Sequence, residues 1–566
     1  MRKAIYNKLL RNLVTAATEI RIPVPLIGIG CGVLGLALPK VTIKMGKYAS
    51  KLLRALEYRG YDSTGAAFQG EDQDIVLLKD VGAPSTLVKT LGIDKQSGKL
   101  FCGQVRWATF GRVDKVNAQP HEVNCKRHIY GAHNGNITNT RELKVFLTKE
   151  GHTVLSDNDG EMLVHSVEHY FDIELDKAGD PKEAEARKAC MRRAIISSAE
   201  NIVGSYAAVV VDPLTQTMWA IKAGSSLYFG VGEMDGMSFA LASSDLTAVL
   251  RFTKMLVNIR QGEFVEFNSD HYQVYAQKNL KFKRLNQADE IYASGDRIDK
   301  LPVFSKLRAE DVELLPEFEY FMEQEIHAQV ESTGKLVKLI QGGSNTGKRM
   351  LELINKENLY EFLSKKMNSI LQTSDLKKKQ DLFDSTIKSR KFADFHETAK
   401  TSYKELFEVA VQEDFEKKYF FSSDKSIFID LIGREYDVRR LLLAKAFDSI
   451  SESLSVNDFE KSIQAFLACV KNTIQNNRNA YSIACGTSFH ATKIGALFFN
   501  EIANVEIIPI LPGDFRGEYS HCIKENDLII GVSQSGETKD LIDIFNDLEQ
   551  SNVNMSKVVL VNNLNS

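Results

Sequence analysis

A chain of 566 residues is long enough for two to four domains, each able to bury a hydrophobic core. Its 43% hydrophobic and 26% charged residues are typical of a soluble globular protein, and a net charge of -3 gives no general attraction to nucleic acid or to anionic membranes. The 7 cysteines are scattered and odd in number, which argues against a disulfide scaffold, and none has the spacing of a zinc site.

The first thirty residues are basic and almost free of acids, as in a transit peptide or propeptide. The stretch 22–39 carries no charge, which raises a membrane span as an alternative. Its prolines and glycines disfavour a continuous helix, so we expect a leader that runs into a buried strand and no stable membrane span. We expect a cytoplasmic protein, with import into an organelle as the alternative if residues 1–30 act as a transit peptide.

Residues 31–274 alternate short β-rich runs with helical stretches. The pattern predicts strands at 101–109, 205–211, 217–221 and 263–267, and helices at 48–58 and 161–171. Because strands and helices interleave without regular βαβ units, we expect an α+β domain of layered sheets and helices.

Polar clusters in this part abut apolar runs. They follow a cysteine set among glycines, Cys31, and read RGYDSTG (59–65), RWATFG (106–111), HNGNI (133–137) and SDNDGE (156–161). Several such clusters indicate a site assembled from loops on a rigid scaffold.

From residue 480 the pattern changes to strand–helix alternation, which predicts a parallel sheet with right-handed crossovers. We expect strands at 481–484, 505–511, 528–532 and 558–561, and burial of Ile494, Leu497 and Phe498 on the first helix. Two strands end in hydroxyl-rich loops at helix starts, where backbone N–H groups and the helix dipole favour a phosphate. The candidate phosphate ligands are Thr487, Ser488, Ser533, Gln534, Ser535 and Thr538, with simple helix capping as the alternative.

The order CGVLG, LEYRGYDSTG, RWATFG, HNG and SDND, followed by FMEQEI, ACGTS and SQSGET, resembles the glucosamine-6-phosphate synthase family. The resemblance implies an N-terminal-nucleophile glutaminase domain followed by a sugar isomerase (SIS) domain.

The resemblance also implies roles for the residues of the polar clusters. Cys31 would be the nucleophile, activated by its own α-amino group. The other implied roles are the oxyanion donors Asn134 (side chain) and Gly135 (N–H), the α-carboxylate ligands Arg106 and Thr109, and Asp159 as partner of the α-ammonium. Each has a plainer alternative: an inert core cysteine, a hairpin turn at 134–135, a surface arginine and a helix cap at Asp159.

The chain departs from the family pattern at Phe110 and Gln119, where histidines are usual, and at Gly160, where threonine is usual. These departures put glutamine affinity in question more than the reaction class. In this sequence the α-amino group of Cys31 is bound to Gly30, so we expect removal of the leader or a start site further downstream.

The domain layout that follows is a leader (1–30), a class II glutaminase domain (31–274), a linker (275–332), a helical insert (333–479) and a partial SIS domain (480–566). The family carries a second SIS module, so we expect a fragment or an incomplete gene. The run 342–349 fits G-x4-G-K, but Arg349 follows and no strand precedes it, so we expect a surface loop and no nucleotide site.

The leading hypothesis is an enzyme that converts glutamine and fructose 6-phosphate to glutamate and glucosamine 6-phosphate. We expect no metal and no organic cofactor, no nucleic-acid partner and a homodimer. Two alternatives stay open: a non-catalytic phosphosugar-binding regulatory paralogue with an idle glutaminase, and an amidotransferase acting on another sugar phosphate.

Overall fold

Two antiparallel sheets stacked face to face organise the first part of the chain. The computed structural model describes residues 31–107, 112–282, 290–305, 321–373, 376–402, 428–432, 438–534, 538–551 and 553–561, with the single residues 318, 426 and 536. The strands of this part are β1 (Gly32–Thr42), β2 (Ser63–Gln69), β3 (Ile75–Val81), β4 (Gly98–Arg106), β5 (His121–Val123), β6 (Ile129–Ile137), β7 (Gly204–Asp212), β8 (Thr217–Ala223), β9 (Tyr228–Met234), β10 (Met237–Ser243), β11 (Met255–Val257), β12 (Glu263–Phe267), β13 (Tyr272–Ala276), β14 (Leu280–Phe282), β15 (Glu290–Tyr292), β16 (Arg297–Ile298) and β17 (Val303–Phe304).

The helices of this part lie between those strands. They are α1 (Met45–Ala55), α2 (Pro84–Thr90), α3 (Thr140–Lys149), α4 (Asp159–Lys177), α5 (Ala184–Asn201) and α6 (Leu246–Leu250). The first sheet has the strand order β17-β11-β9-β10-β1-β4-β2-β3, and the second has the order β16-β13-β12-β8-β7-β6-β5. A separate hairpin joins β14 and β15.

The side chains of β1 alternate between two cores, as the period of two in a strand requires. Val33 and Ala37 face the core between the two sheets, which β6 enters through Ala132. Leu34 and Leu36 face the opposite side, where α1 packs. On the outer face of the second sheet lie α3, α4 and α5. The result is a four-layer helix–sheet–sheet–helix arrangement, which confirms the predicted α+β class.

The middle of the chain is helical. Its helices are α7 (Phe321–Ile340), α8 (Asn345–Lys356), α9 (Tyr360–Leu371), α10 (Leu376–Ile387), α11 (Arg390–Ser402), α12 (Ile429–Ile432) and α13 (Val438–Gln475). They share one core, in which Leu363, Phe383 and Phe447 are fully buried.

The glycine-rich run at 342–349 belongs to this helical region. The prediction of a loop there is wrong from residue 345 onward, because α8 begins at Asn345 with Ser344 as its N-cap. Glu452 accepts the Ser344 N–H at 2.8 Å and the Ser344 hydroxyl at 2.9 Å. A carboxylate of the chain itself therefore lies where a phosphate would have to bind.

The last part of the chain is a parallel α/β sheet. Its elements are β18 (Ala480–Ala484), α14 (Gly486–Ala503), β19 (Ile508–Ile510), β20 (Leu528–Ser533), α15 (Lys539–Gln550) and β21 (Ser556–Val561), with a short helical segment at 512–519. The strand order is β19-β18-β20-β21 with all neighbours parallel, as predicted.

The predicted burial on α14 is wrong. Ile494, Leu497 and Phe498 are 56%, 54% and 57% exposed. The helix contacts its sheet through another face, along which Ala496 and Phe499 pack, so its second apolar face points away from the sheet.

Two further observations bear on the layout. Strands β16 and β17 pair with the two antiparallel sheets, so these sheets extend past residue 274 into the stretch predicted as a linker. Among the residues that the structure describes, no helix combines the length and the apolar character needed to cross a membrane. The leader at 1–30 lies outside the described residues.

Candidate active site

Cys31 stands immediately before the central strand β1 of the first sheet and is 8% exposed. Antiparallel pairing sets Gly32 opposite Val105, which brings the start of β1 beside the end of β4. The Cys31 Sγ accepts the Trp107 N–H at 3.3 Å and lies 3.2 Å from the Trp107 carbonyl oxygen. The register of one strand pair therefore positions the thiol, and Trp107 contributes through its backbone.

Arg59 fixes the backbone of the cysteine. Its Nε donates to the Cys31 carbonyl at 3.3 Å, and its Nη1 donates to the Asp245 carboxylate at 3.0 Å and to the Ser244 carbonyl at 3.4 Å. Asp245 also accepts a short hydrogen bond from the Tyr58 hydroxyl. No role for Arg59 was predicted from the sequence, although this residue opens the RGYDSTG cluster, and its place in that cluster was the signal that could have identified it.

Asn134 and Gly135 lie within strand β6, paired with Ala207 and Tyr206 of β7. The hairpin-turn alternative for these two residues is therefore wrong. Side chains two residues apart on a strand point to the same face. Ala132 of β6 and Val33 of β1 both face the core between the two sheets, so the buried Asn134 side chain and Cys31, each two residues away, point toward that same space. Gly135 has φ of 153°, and a Cβ there would lie 2.1 Å from the Ser205 carbonyl oxygen, so only glycine fits.

Asp159 is the first residue of α4, and the structure shows that it is not the cap. Asn158 caps the helix by accepting the Gly160 N–H at 2.8 Å. The Asp159 carboxylate accepts the Ile137 N–H at 3.1 Å and lies 3.1 Å from His133 Nε2. Burial alone would raise the pKa of this carboxyl, but His133 and the Ile137 N–H outweigh it and hold the pKa below its ordinary value.

Two of the predicted residues, Arg106 and Asp159, lie close enough to Cys31 for their charges to act on its thiol. Burial raises the pKa of the Cys31 thiol, the Trp107 N–H and the charge of Arg106 act in the opposite direction, and Asp159 adds to the rise. Arg106 is itself 2% exposed and donates through Nη1 to the Arg112 carbonyl at 2.9 Å. Its burial excludes the alternative of an ordinary surface arginine. Thr109 and Phe110 lie outside the described residues.

Two of the departures from the family pattern contact each other. Gln119 Oε1 accepts the His133 N–H at 2.8 Å, and a Cβ at Gly160 would lie 2.5 Å from that same oxygen and 2.5 Å from His133 Nδ1. Gln119 and Gly160 thus pack together against His133, whose ring lies within hydrogen-bond distance of the Asp159 carboxylate.

The predicted phosphosugar ligands lie at one edge of the parallel sheet. Strands β18 and β20 are neighbours, so the loops that follow them meet at their carboxyl ends. Thr487 and Ser488 are in the first turn of α14. Burial raises the pKa of the thiol of Cys485, the residue that precedes α14, and the charge of Asp540 in the first turn of α15 adds to the rise.

The second of these loops is ordered by its own hydroxyls. Ser533 Oγ accepts the Gly536 N–H at 3.0 Å and lies 2.8 Å from Thr538 Oγ1. The Gln534 amide donates to Glu325 of α7 at 3.0 Å. Thr538 makes no side-chain cap bond, so capping does not account for it. Ser535 lies outside the described residues.

Two families of known domains match parts of this chain. Residues 108–250 match the family described as glutamine amidotransferase domain, and residues 473–566 match the SIS domain. The two matched segments follow one another in the same order as the motifs in the sequence.

Several curated relatives show which kind of amidotransferase this chain resembles. Three of them, each named glutamine–fructose-6-phosphate aminotransferase (isomerizing), illustrate the similarity. The one from Pyrobaculum aerophilum is 31% identical over 53% of this chain and 44% of its own length, and the one from Thermotoga maritima is 33% identical over 45% and 38%. The one from Sulfolobus acidocaldarius is 24% identical over 90% of this chain and 87% of its own length. The chain is related to these aminotransferases, which confirms the resemblance seen in its motifs.

The chain spans less than half of the first two relatives, at 44% and 38% of their lengths. Among solved structures, the glutamine phosphoribosylpyrophosphate amidotransferase from B. subtilis, complexed with ADP and GMP, is 20% identical over 44% of this chain and 49% of its own, with a TM-score of 0.35.

Proposed function

We propose that the chain is a glutamine-dependent amidotransferase that makes glucosamine 6-phosphate and glutamate from fructose 6-phosphate and glutamine. The observation that carries the proposal is the position of Cys31: a buried thiol at the start of a central strand, within electrostatic reach of Arg106 and Asp159. The matches to both domain families and the names of the relatives support it.

In the proposed glutaminase reaction the sulfur of Cys31 attacks the side-chain carbonyl carbon of glutamine, and the thiol proton passes through the cysteine α-amino group to the leaving nitrogen. Ammonia leaves and a thioester remains, which water hydrolyses to glutamate and the free thiol. Ammonia then reacts with fructose 6-phosphate, which loses water on the way to glucosamine 6-phosphate.

The binding roles are those that the family resemblance implies, and the charges of the groups support them. The planar guanidinium of Arg106, with the Thr109 hydroxyl, suits the α-carboxylate of glutamine, and Asp159 suits its α-ammonium. The Asn134 amide and the Gly135 N–H are the proposed donors to the oxyanion that forms on the attacked carbonyl. A carboxylate held ionised by His133 keeps its charge for the α-ammonium at neutral pH.

The nucleophile requires a free α-amino group. Burial favours the neutral thiol over the thiolate, so a base must take its proton at the moment of attack. We propose that Cys31 is the first residue of the active protein, with residues 1–30 removed as a leader.

The phosphosugar site is assigned to Thr487, Ser488, Ser533, Gln534, Ser535 and Thr538. Two helix starts at one sheet edge offer unpaired N–H groups and hydroxyls to the phosphate. The proposal includes a homodimer in the cytoplasm, no nucleic-acid partner, and a SIS domain at 480–566. The glutaminase domain begins at residue 31 and extends past the predicted limit of 274 to residue 304, because β16 and β17 belong to its sheets.

The test compares a chain that begins at Cys31 with its Cys31→Ala variant. Glutamate release from glutamine reports on the glutaminase, and amino-sugar phosphate formed from fructose 6-phosphate reports on transfer. Cys522→Ala, which removes an exposed cysteine, is the matched control. We expect glutamate release by the parent chain and by the control, and its loss in Cys31→Ala; equal glutamate release by Cys31→Ala would refute the proposal.

A further inference from the structure

A second group of reactive side chains lies in the amidotransferase domain, apart from the residues assigned to glutamine. It consists of Cys125, His152, His165 and Glu168, called here the Cys–His–His–Glu cluster. One donor atom from each side chain can be chosen so that all lie within 4.8 Å of one another. The two histidines and the glutamate are buried, and the cysteine is exposed.

The fold brings these residues together from three separate segments. Cys125 lies in the turn between β5 and β6, His152 in the loop after α3, and His165 and Glu168 three residues apart on one face of α4. No regular spacing in the sequence marks the group, so it does not resemble a zinc-site motif.

The cluster is held in place by surrounding groups. Glu168 Oε2 lies 3.0 Å from His152 Nδ1 and 2.9 Å from His165 Nδ1. The other Glu168 oxygen accepts the Lys126 and Arg127 N–H groups at 2.8 and 3.1 Å, so the carboxylate has a fixed orientation.

Further partners orient the remaining donors. The second nitrogen of His152 lies 3.3 Å from His169 Nδ1, and the Cys125 sulfur accepts the Thr153 N–H at 3.2 Å. Such outer contacts on histidine, carboxylate and thiolate ligands are typical of metal sites, where they fix the ligands.

We propose that the Cys–His–His–Glu cluster binds one Zn²⁺ as a structural site. One thiolate, two imidazoles and one carboxylate make a closed set of four donors, which suits tetrahedral zinc, whereas calcium and magnesium require oxygen ligands throughout. Bond lengths of about 2.0–2.3 Å place tetrahedral ligand atoms about 3.3–3.8 Å apart, so small rotations of these side chains close the site. Binding releases the thiol proton of Cys125, while each neutral imidazole donates a lone pair.

Zinc there would tie the β5–β6 turn and the loop after α3 to helix α4. The first residue of that helix is Asp159, so the ion would steady the segment that presents this carboxylate. The alternative is a purely hydrogen-bonded network in which Glu168 bridges the two imidazoles without a metal.

The experiment uses the full chain, stripped of metal with a chelator and titrated with Zn²⁺ and, separately, with Co²⁺. Cys125→Ser is the informative variant because the side chain is exposed, whereas variants at the three buried positions could fail to fold. Cys522→Ser, another exposed cysteine, is the matched control.

We expect the parent chain and Cys522→Ser to bind one equivalent of zinc, to show a thiolate-to-cobalt charge-transfer band, and to melt at a higher temperature with zinc. Cys125→Ser should lose the band and bind zinc at least about 10- to 100-fold more weakly. Zinc binding of equal strength in Cys125→Ser and Cys522→Ser, or less than a tenth of an equivalent in the parent chain, would overturn the proposal in favour of the hydrogen-bonded network.

Discussion

Replacing Gly160 by alanine should weaken both the fold and the presentation of Asp159. The new Cβ would lie 2.5 Å from Gln119 Oε1, 2.5 Å from His133 Nδ1 and 2.7 Å from Asn158 Oδ1. Real Cβ contacts are not this short, so at least one of these side chains must move. Threonine, the residue usual in the family at this position, begins with the same Cβ.

The size of the stability loss can be worked out from the hydrogen bond that Gly160→Ala would break. Moving Gln119 Oε1 removes the acceptor of the His133 N–H, a buried hydrogen bond of 2.8 Å. Leaving a buried donor unsatisfied costs about 1–3 kcal/mol, and overpacking a buried site costs about 1–3 kcal/mol. We expect Gly160→Ala to lower the free energy of unfolding of this domain by about 2–6 kcal/mol.

The assay is thermal and urea unfolding of the first transition, with Gly70→Ala as control. A Cβ at Gly70 meets nothing closer than Asp72 Oδ1 at 3.5 Å, so this control should change stability by less than about 1 kcal/mol. Combining Gly160→Ala with Gln119→Ala removes one side of the clash, so the double variant should lose less stability than the sum of the single variants, by about 1–2 kcal/mol. Additivity within about 0.5 kcal/mol, or a Gly160→Ala variant as stable as Gly70→Ala, would refute the contact between the two departures.

Three further predictions concern the two sites. Asp159→Asn should raise the KM for glutamine about 10- to 100-fold, because a charged hydrogen bond is worth about 1.5–3 kcal/mol. The pKa of Asp159 is lower in the folded than in the unfolded protein, so the stability that its charge contributes is present above about pH 4 and is lost as the pH falls through the folded pKa. The melting temperatures of the parent and the variant should therefore converge in acid. Arg59→Lys keeps the positive charge beside Asp245 but loses the planar guanidinium that donates to the Cys31 carbonyl, so kcat for glutamate release should fall on the order of 10-fold with little change in KM. A change in KM with kcat unaltered would contradict a positioning role. Ser533→Ala removes the acceptor of the Gly536 N–H and should weaken fructose 6-phosphate binding about 10-fold, measured calorimetrically, while glutamate release without sugar stays unchanged; unaltered sugar affinity would remove Ser533 from the site.

The sequence was informative where periodicity and motif order carried the signal. The strand predicted at 263–267 and the alternation from residue 480 agree with β12 and with the parallel sheet. The cysteine, its neighbouring clusters and their order were sufficient to indicate the glutaminase and its six candidate residues.

What the sequence could not supply was long-range register and the choice of packing face. The thiol contacts Trp107 because β1 pairs with β4, and Arg59 reaches the Cys31 carbonyl from the short 3-10 helix Glu57–Arg59. Helix α14 is apolar on two faces, so composition alone could not tell which one packs on the sheet, and the predicted burial of Ile494, Leu497 and Phe498 fell on the exposed one. The Cys–His–His–Glu cluster has no pattern in the sequence because the fold draws it from three segments.

The central claim is that Cys31, with a free α-amino group, is the nucleophile. The most direct measurement is mass-spectrometric mapping of the adduct left by a glutamine analogue that carries an electrophile in place of the amide. In a chain that begins at Cys31 we predict one adduct per chain, on Cys31, with its loss when excess glutamine is present and none when residues 1–30 remain attached. An adduct on another cysteine, or equal labelling of Cys31 with residues 1–30 still attached, would contradict the account.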